Sequence, residues 1–167
     1  MRKSLIIFVS LCALMIAAVA ASAATNFAGT WELDKSKSQL TGRMANIDSL
    51  TWTITQTDKD LTIESQASGG GNQMPAQKTT YSLDGKETTV EFGGQMPGKA
   101  TLKATWSSDG KVLELSQVRH ASMQGNEVTI TTKEHWELAE GGKVLKVHRV
   151  SESPRGTQES TLVFNKK

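Results

Sequence analysis

Alternation of apolar and polar residues, interrupted by tight-turn dipeptides, is the feature that most constrains the fold of this chain. The alternation has a period of two, and no stretch sustains the period of 3.6 that an amphipathic helix requires. The chain is therefore predicted to be all-β, with about ten strands. The predicted strands span residues 29–34, 49–56, 61–65, 78–83, 86–92, 100–107, 111–119, 127–138, 143–151 and 158–165.

Two Asp-Gly pairs, Asp84-Gly85 and Asp109-Gly110, predict two-residue hairpin turns that set the register of the flanking strands. Each register brings apolar or Thr residues together on one face, whereas a slip of one residue would separate them. Consecutive hairpins make an antiparallel meander, and a ten-stranded meander hides its edges by closing into an up-and-down barrel. The predicted partners are Tyr81 with Thr88, Thr79 with Val90, Trp106 with Leu113, and Ala104 with Leu115.

Composition agrees with a single folded domain. The chain has 167 residues, of which 37% are hydrophobic and 22% charged, so it is too apolar for a disordered protein and too polar for a helical membrane bundle. The residues predicted to face outward, such as Glu32, Thr53 and Lys103, are polar. An outer-membrane barrel needs an apolar outer band, so that class is excluded at this stage.

The first 24 residues have the pattern of a secretory signal peptide. Arg2 and Lys3 precede an apolar run over residues 5–20, and small residues follow at 21–24. Cleavage after Ala23 and cleavage after Ala24 fit equally well. The predicted organisation is a signal peptide at 1–24 and a barrel domain at 25–167, with no membrane span after cleavage and a periplasmic or secreted location.

Removal of this segment makes the remaining chain nearly neutral. The loss of Arg2 and Lys3 reduces the 19 basic residues to 17, against 17 acidic residues. The sequence contains no basic run that would track a phosphate backbone, so nucleic acid is not an expected partner. The single cysteine, Cys12, lies within the removed segment, and the domain must be stable without a disulfide.

The segment Phe27-Ala28-Gly29-Thr30-Trp31 resembles the G-x-W element that opens the first strand of lipocalins and related calycin barrels. The resemblance implies that the tryptophan lies across the closed end of the barrel, where an arginine from a late strand covers it. Residues 29–38 also resemble the opening of small exported bacterial lipocalin-like proteins. The ten predicted strands exceed the eight strands of lipocalins and approach the number in fatty-acid-binding proteins. The Arg-x-Tyr pattern found near the end of fatty-acid-binding proteins is missing from this sequence.

Glu134 and Arg149 are the candidates for an interior charged pair. A hairpin turn centred on Gly141-Gly142 places these two residues opposite each other on the inner face, which also makes Arg149 the candidate for the arginine that covers Trp31. A buried ion pair is costly unless its members are well hydrogen-bonded, so such a pair suggests water or a polar ligand group beside it. A purely structural pair, or a turn shifted by one residue, is the alternative.

The connections predicted at one end of the barrel are long and rich in Gly, Met and Pro, whereas those at the other end are short. The long ones span residues 35–48, 66–77, 93–99, 120–126 and 152–157, and they hold all four methionines of the domain. Flexible thioether side chains adapt to irregular apolar surfaces, so Met74 and Met96 are predicted to gate the open end. Inward folding of these methionines as ordinary core is the alternative.

The sequence thus predicts a binding protein for a small hydrophobic or amphipathic molecule held inside the barrel. The alternative is a protein-interaction module, such as an envelope inhibitor, with a fully packed core and Gly-Met-Pro loops that insert into a protein partner. No nucleophile with an adjacent base is recognisable, so no enzyme activity and no cofactor are expected. The gate residues Met74 and Met96 and the pair Glu134 and Arg149 form part of the predicted binding site. Its cavity walls are predicted to be Trp52, Tyr81, Phe92, Leu102, Trp106 and Leu115.

No metal site is predicted. His135 and His148 face each other on the outer surface in the register set by the Gly141-Gly142 turn, but two ligands are fewer than the three or four that zinc sites usually have. His120 and the methionines near it are too few to form a local copper site.

Overall fold

The computed structural model describes residues 24–92, 97–123 and 126–167. In these residues the chain forms eleven strands and two short 3₁₀ helices, Gly42–Asn46 and Glu140–Gly142. The strands are β1 Gly29–Leu33, β2 Ile47–Gln56, β3 Asp60–Gly69, β4 Asn72–Gln73, β5 Gln77–Ser82, β6 Thr88–Phe92, β7 Gly98–Trp106, β8 Leu113–Met123, β9 Asn126–Ala139, β10 Val144–Ser153 and β11 Gly156–Lys166.

All pairings are antiparallel, and the strands follow an up-and-down meander, which confirms the predicted all-β class. The order across the sheet is β4-β3-β2-β1-β11-β10-β9-β8-β7-β6, with β5 also paired to β3. Pairing of β1 with β11 joins the start of the meander to its end. Within the described residues no ladder connects β5 to β6, so the barrel wall has one gap and the predicted full closure is wrong at that place.

Two of the three predicted hairpin registers are confirmed. Trp106 pairs with Leu113 across the Asp109-Gly110 turn, and Glu134 pairs with Arg149 across the Gly141-Gly142 turn. The register around Asp84-Gly85 is wrong, because within the described residues no ladder joins β5 to β6, and each pairs only on its other edge, with β3 and β7 respectively.

The prediction of long loops at the open end is also wrong for three of the five connections. β3 continues to Gly69 and turns through Gly70-Gly71 into β4, where both glycines have positive φ. β8 and β9 extend to Met123 and Asn126, and β10 and β11 leave only Pro154 and Arg155 between them. Extended hairpins therefore form most of this end, and Met123 lies on a strand although all methionines were predicted in loops.

The barrel has a closed end packed with aromatic rings. Trp31, Phe27 and Trp136 are fully buried, and the Trp31 Nε1 donates to the Phe27 carbonyl oxygen at 2.8 Å. The cation near Trp31 is Lys166, whose Nζ lies 5.1 Å from the ring centroid. Arg149 was expected there, but β10 carries it to the middle of the barrel, where its guanidinium lies 5.8 Å from the Trp52 ring.

The opposite end, called here the open end, is crossed by a strap formed by residues 34–46, between β1 and β2. The strap contains the 3₁₀ helix Gly42–Asn46 and forms an isolated bridge from Gln39 to Thr161 of β11. Residues 1–23 of the predicted signal peptide, and Met96 of the predicted gate, lie outside the described residues. The two-part organisation at residue 24 therefore stays a prediction.

Candidate functional site

A stack of aromatic rings forms the floor of the barrel interior. The Trp52 ring stacks on Phe164 at 4.4 Å and on Trp136 at 5.1 Å between centroids. Phe27 meets Trp136 edge to face at 5.7 Å and stacks on Trp106 at 5.9 Å. Offset and edge-to-face pairs stabilise beyond the area that they bury, so this floor is apolar and stabilised by ring contacts.

The Glu134–Arg149 ion pair lies directly on this floor. Arg149 donates from Nε to Glu134 Oε1 at 2.7 Å and from NH2 to the same oxygen at 2.6 Å. The second carboxylate oxygen, Oε2, accepts from Trp136 Nε1 at 2.7 Å, and the Arg149 NH1 lies 3.3 Å from the Met44 sulfur. The side chains are 11% and 21% exposed, so a bonded but incompletely covered charged pair faces the interior.

Tyr81 adds a hydroxyl group to the same region. The ring is buried on the inner face of β5, and burial raises the pKa of the phenol above its usual value. The negative charge of Glu134 raises this pKa further, and Arg149 opposes that effect. The hydroxyl therefore stays protonated at neutral pH and can donate a hydrogen bond.

An interior cavity of about 260 Å³ lies above the aromatic floor. Trp52, Tyr81, Glu134 and Arg149 line its lower part. The strap and the β3–β4 hairpin cover it with Met44, Met74 and Pro75, and Met74 is 44% exposed. Its side walls are half apolar and half polar, from Ile47, Leu50, Ile63, Ser65, Ala67, Gln77, Thr79 and Gln117.

A second cavity, of about 440 Å³, occupies the gap between β5 and β6. Its inner wall contains Leu102 and Arg119, and the Arg119 guanidinium lies 3.7 Å from the Phe92 ring centroid, a cation–π contact. Burial, followed by the positive charge of Arg43, lowers the pKa of Arg119, which still remains charged at neutral pH. Gln77, Thr79 and Gln117 line both cavities, so the two are neighbours through these residues.

A third cavity, of about 450 Å³, lies between the strap and the ends of β9, β10 and β11. Arg43 and Arg155 contribute positive charge to it, and Val128 and Ile130 contribute apolar surface. The three cavities therefore give the open half of the barrel polar and cationic groups, in contrast to the floor.

Nine of the ten predicted site residues lie in the described part of the chain, Met96 being the exception, and these nine fall into three groups. Trp52, Tyr81, Met74, Glu134 and Arg149 line the interior cavity together. Phe92 and Leu102 line the gap instead. The remaining two line neither of these cavities: Trp106 ends β7 at the closed end, and Leu115 packs in the core below the cavity.

The sequence argument missed several residues of the site. Met44 reaches the cavity because the strap folds over the open end, which no local pattern indicates. Arg119 carries a readable signal, since Leu113 and Leu115 already define the inner face of β8 and the alternation continues through Gln117 to Arg119.

The outer face of β8–β11 carries a row of histidines and glutamates. His135 and His148 are paired across β9 and β10. His135 Nδ1 lies 3.5 Å from Glu114 Oε1, and His148 Nε2 lies 2.7 Å from Glu159 Oε1. Among the described residues no group of three or more His, Cys, Asp or Glu side chains is arranged to hold a metal ion.

In the part of the chain that the structure describes, no helix is long and apolar enough to cross a membrane. No family model matches the sequence, and no curated protein matches it either. Among solved structures, the fold is similar to that of zebrafish ileal bile acid-binding protein complexed with cholic acid, with a TM-score of 0.51 and 16% sequence identity. The similarity covers 84% of this chain and 98% of that chain, and it shows that the two chains share an antiparallel β-barrel fold.

Proposed function

We propose that this protein binds one small amphipathic molecule inside the barrel. The observation that carries the proposal is the position of the Glu134–Arg149 pair, which is hydrogen-bonded on the aromatic floor and borders the interior cavity. Retention of a charged pair beside an apolar stack is expected where a ligand has both an apolar body and a polar group. The zebrafish neighbour, which was solved with cholic acid, has the same overall fold.

The apolar part of the ligand lies on Trp52 and against Leu50 and Ile63, and its polar group contacts Arg149 or the Tyr81 hydroxyl. Binding is favoured over catalysis because both Glu134 oxygens already accept hydrogen bonds, which leaves this carboxylate poorly suited to act as a base. We further propose that this protein is related to small exported bacterial lipocalin-like proteins, because residues 29–38 resemble the segment that opens those proteins.

The proposal is tested by a substitution that places a large side chain in the interior cavity, followed by measurement of probe binding. Ala67 is on the inner face of β3 and lines the cavity, whereas its neighbour Gln66 is exposed on the outer face. Anilinonaphthalenesulfonate, a fluorescent apolar anion, is titrated by calorimetry into the parent protein, Ala67→Phe and Gln66→Phe. We expect one probe per parent chain, a loss of affinity of about tenfold or more in Ala67→Phe, and unchanged affinity in Gln66→Phe.

Equal affinity in the two variants would contradict interior binding. Absence of saturable binding to the parent would contradict the proposal itself and favour the alternative, in which a protein partner contacts the open end. That outcome leads to affinity capture of partners, with Met74→Ser as the control bait, because Met74 is an exposed large apolar side chain at that end.

We also propose that residues 1–24 act as a signal peptide and that the protein functions in the periplasm or outside the cell. Intact-mass measurement of the protein recovered from the envelope fraction tests this directly. A mature chain that begins at Ala24 or Thr25 is the expected result, and a full-length chain that remains with the cytoplasm would contradict it.

A further inference from the structure

The gap between β5 and β6 is the part of the described barrel wall that is held without a backbone ladder. β5 is bonded to β3, and β6 is bonded to β7. The cavity of about 440 Å³ between the two strands reaches inward to Leu102, Gln117 and Arg119. A molecule that passes between β5 and β6 therefore has to displace side chains but breaks no hydrogen bond between these strands.

The gap and the interior cavity are lined in part by the same three residues. Gln77 and Thr79 on β5 and Gln117 on β8 contribute to both. All three have side chains smaller than an aromatic ring, and the two on β5 belong to a short strand bonded on one side. The gap and the interior cavity therefore border each other along these three polar side chains.

The open end is fastened more firmly, because the strap is hydrogen-bonded to β11 and the strand that follows the strap, β2, is hydrogen-bonded to the β3–β4 hairpin. On one side Gln39 and Thr161 exchange two backbone hydrogen bonds of 2.8 Å, and the Thr41 amide donates to Ser160 Oγ at 3.0 Å. On the other side the Gly71 amide donates to Asp48 Oδ2 at 3.0 Å.

Close packing adds to this fastening. A side chain at Gly69 would meet the Asn46 carbonyl oxygen and the Met74 methyl group, so the end of the strap lies directly against the β3–β4 hairpin. Passage through the open end requires several of these bonds and contacts to break together.

The chemistry of the gap suits an amphipathic molecule. Val90 on β6 is 38% exposed although it faces the gap, and with Met74 it is one of two large apolar side chains that are exposed in the described residues. The Phe92 ring and the Arg119 guanidinium stacked on it offer an apolar surface and a positive charge beside Val90. An apolar body and an anionic group thus both find a complementary surface in the wall.

We infer that the ligand enters and leaves the interior sideways, through the gap between β5 and β6, while the strap keeps the open end covered. This inference rests on the proposed function, since it concerns the route to the interior cavity. The Val90 side chain is the main obstacle in the gap, and its size sets the rate of exchange without setting the affinity. A barrier on a single route slows association and dissociation by the same factor and leaves Kd unchanged.

The experiment measures both rates by stopped flow with anilinonaphthalenesulfonate, excited directly, on the parent and three variants. Val90→Trp fills the gap, and both rates are expected to fall by about tenfold with Kd unchanged. Val90→Ala widens the gap, and both rates are expected to rise together, which gives an independent reading if the tryptophan variant does not fold. Thr89→Trp adds the same ring to the exposed outer face of β6 and is expected to leave both rates unchanged.

A fourth variant, Thr41→Val, removes the hydroxyl that bonds the strap to β11, and unchanged rates are expected if the open end is not used. Faster exchange in Thr41→Val together with parent rates in both Val90 variants would overturn the lateral route and leave the binding proposal intact. A Val90→Trp variant in which only the dissociation rate changes, and Kd changes with it, would also overturn the lateral route. Val90 would then contact the bound ligand, and the gap would be part of the binding site. Absence of probe binding to the parent would remove the proposed function and this route with it.

Discussion

The closed end and the open end of this barrel are made of the same strands but are held together differently. At the closed end, fully buried aromatic rings pack in a continuous stack, and short turns join the strands. At the open end, the inner positions carry Gln117, Glu134 and Arg149, the strap covers the interior, and within the described residues no ladder joins β5 to β6. The stability of the fold is therefore expected to depend mainly on the aromatic floor, whereas ligand binding is expected to depend on the open half of the barrel.

The largest effect is expected from the floor. Trp31→Ala should reduce the free energy of unfolding by about 3 to 5 kcal/mol, because it removes a fully buried indole and leaves a void. Urea unfolding measures the loss, with Glu32→Ala, an exposed neighbour on the same strand, as the control expected to change little. A loss below about 1 kcal/mol would mean that Trp31 does not close the barrel.

The ion pair tests the boundary between the two halves. Arg149→Met should cost about 2 to 3 kcal/mol, because it leaves the Glu134 carboxylate partly buried with only Trp136 as a donor. The double variant Glu134→Gln/Arg149→Met should be more stable than Arg149→Met alone, since no unpaired charge remains. Additive losses in a double-mutant cycle would show that the two side chains do not stabilise each other in solution.

Met74 tests the open end alone. Met74→Ser should weaken binding of anilinonaphthalenesulfonate about fivefold, or about 1 kcal/mol, with almost no change in urea stability, because the side chain covers the cavity and is 44% exposed. Gln73→Ser, an exposed change in the adjacent residue, is the control. A loss of stability without a loss of affinity would place Met74 in the core and not over a ligand.

The smallest effect concerns the turns of the closed end. Hydrogen bonds from Lys86 and Ser82 lower the pKa of the Asp84 carboxyl to about 2, and bonds from Ser107 and Lys111 likewise lower the pKa of Asp109. The ionised Asp84 and Asp109 carboxylates stabilise the folded state at pH values above about 4, the pKa of an aspartate in the unfolded chain. This stabilisation is lost as the pH falls from about 4 to 2 and the carboxylates become protonated. Asp84→Asn should therefore flatten the decline of the urea midpoint in this range, whereas a slope equal to that of the parent would contradict the assignment.

Hairpin registers were predictable where turn chemistry and sheet pairing agree. Asp109-Gly110 and Gly141-Gly142 join strands that remain paired, so their positive-φ glycines fixed the partners correctly. Asp84-Gly85 has the same local chemistry, yet the Leu83 amide donates to the Lys59 carbonyl oxygen at 2.7 Å, which continues the pairing with the β3 side. Local turn signals carry no information on whether the two strands then separate.

The site was predictable as far as alternation extends. Tyr81, Glu134 and Arg149 follow from strand faces, and the structure brings them to one cavity. The strap and the β3–β4 hairpin were not predictable, because Gln66-Ala67-Ser68-Gly69 reads as a loop until its pairing with β2 is known. Small polar residues adopt strand conformation there through their neighbours and not through their own propensity.

The pairing of β1 with β11 has a consequence for the order of assembly. Trp31 is opposite Lys166, and the amide of Lys167 donates to the carbonyl oxygen of Thr30, so β1 completes its pairing only with β11, more than 120 residues later in the sequence. Contacts between such distant segments require closure of a very long loop, and they slow folding relative to a fold rich in local contacts. A chain that lacks β11 leaves one edge of β1 and one edge of β10 unpaired and exposes the apolar face of β1, and such free edges favour aggregation.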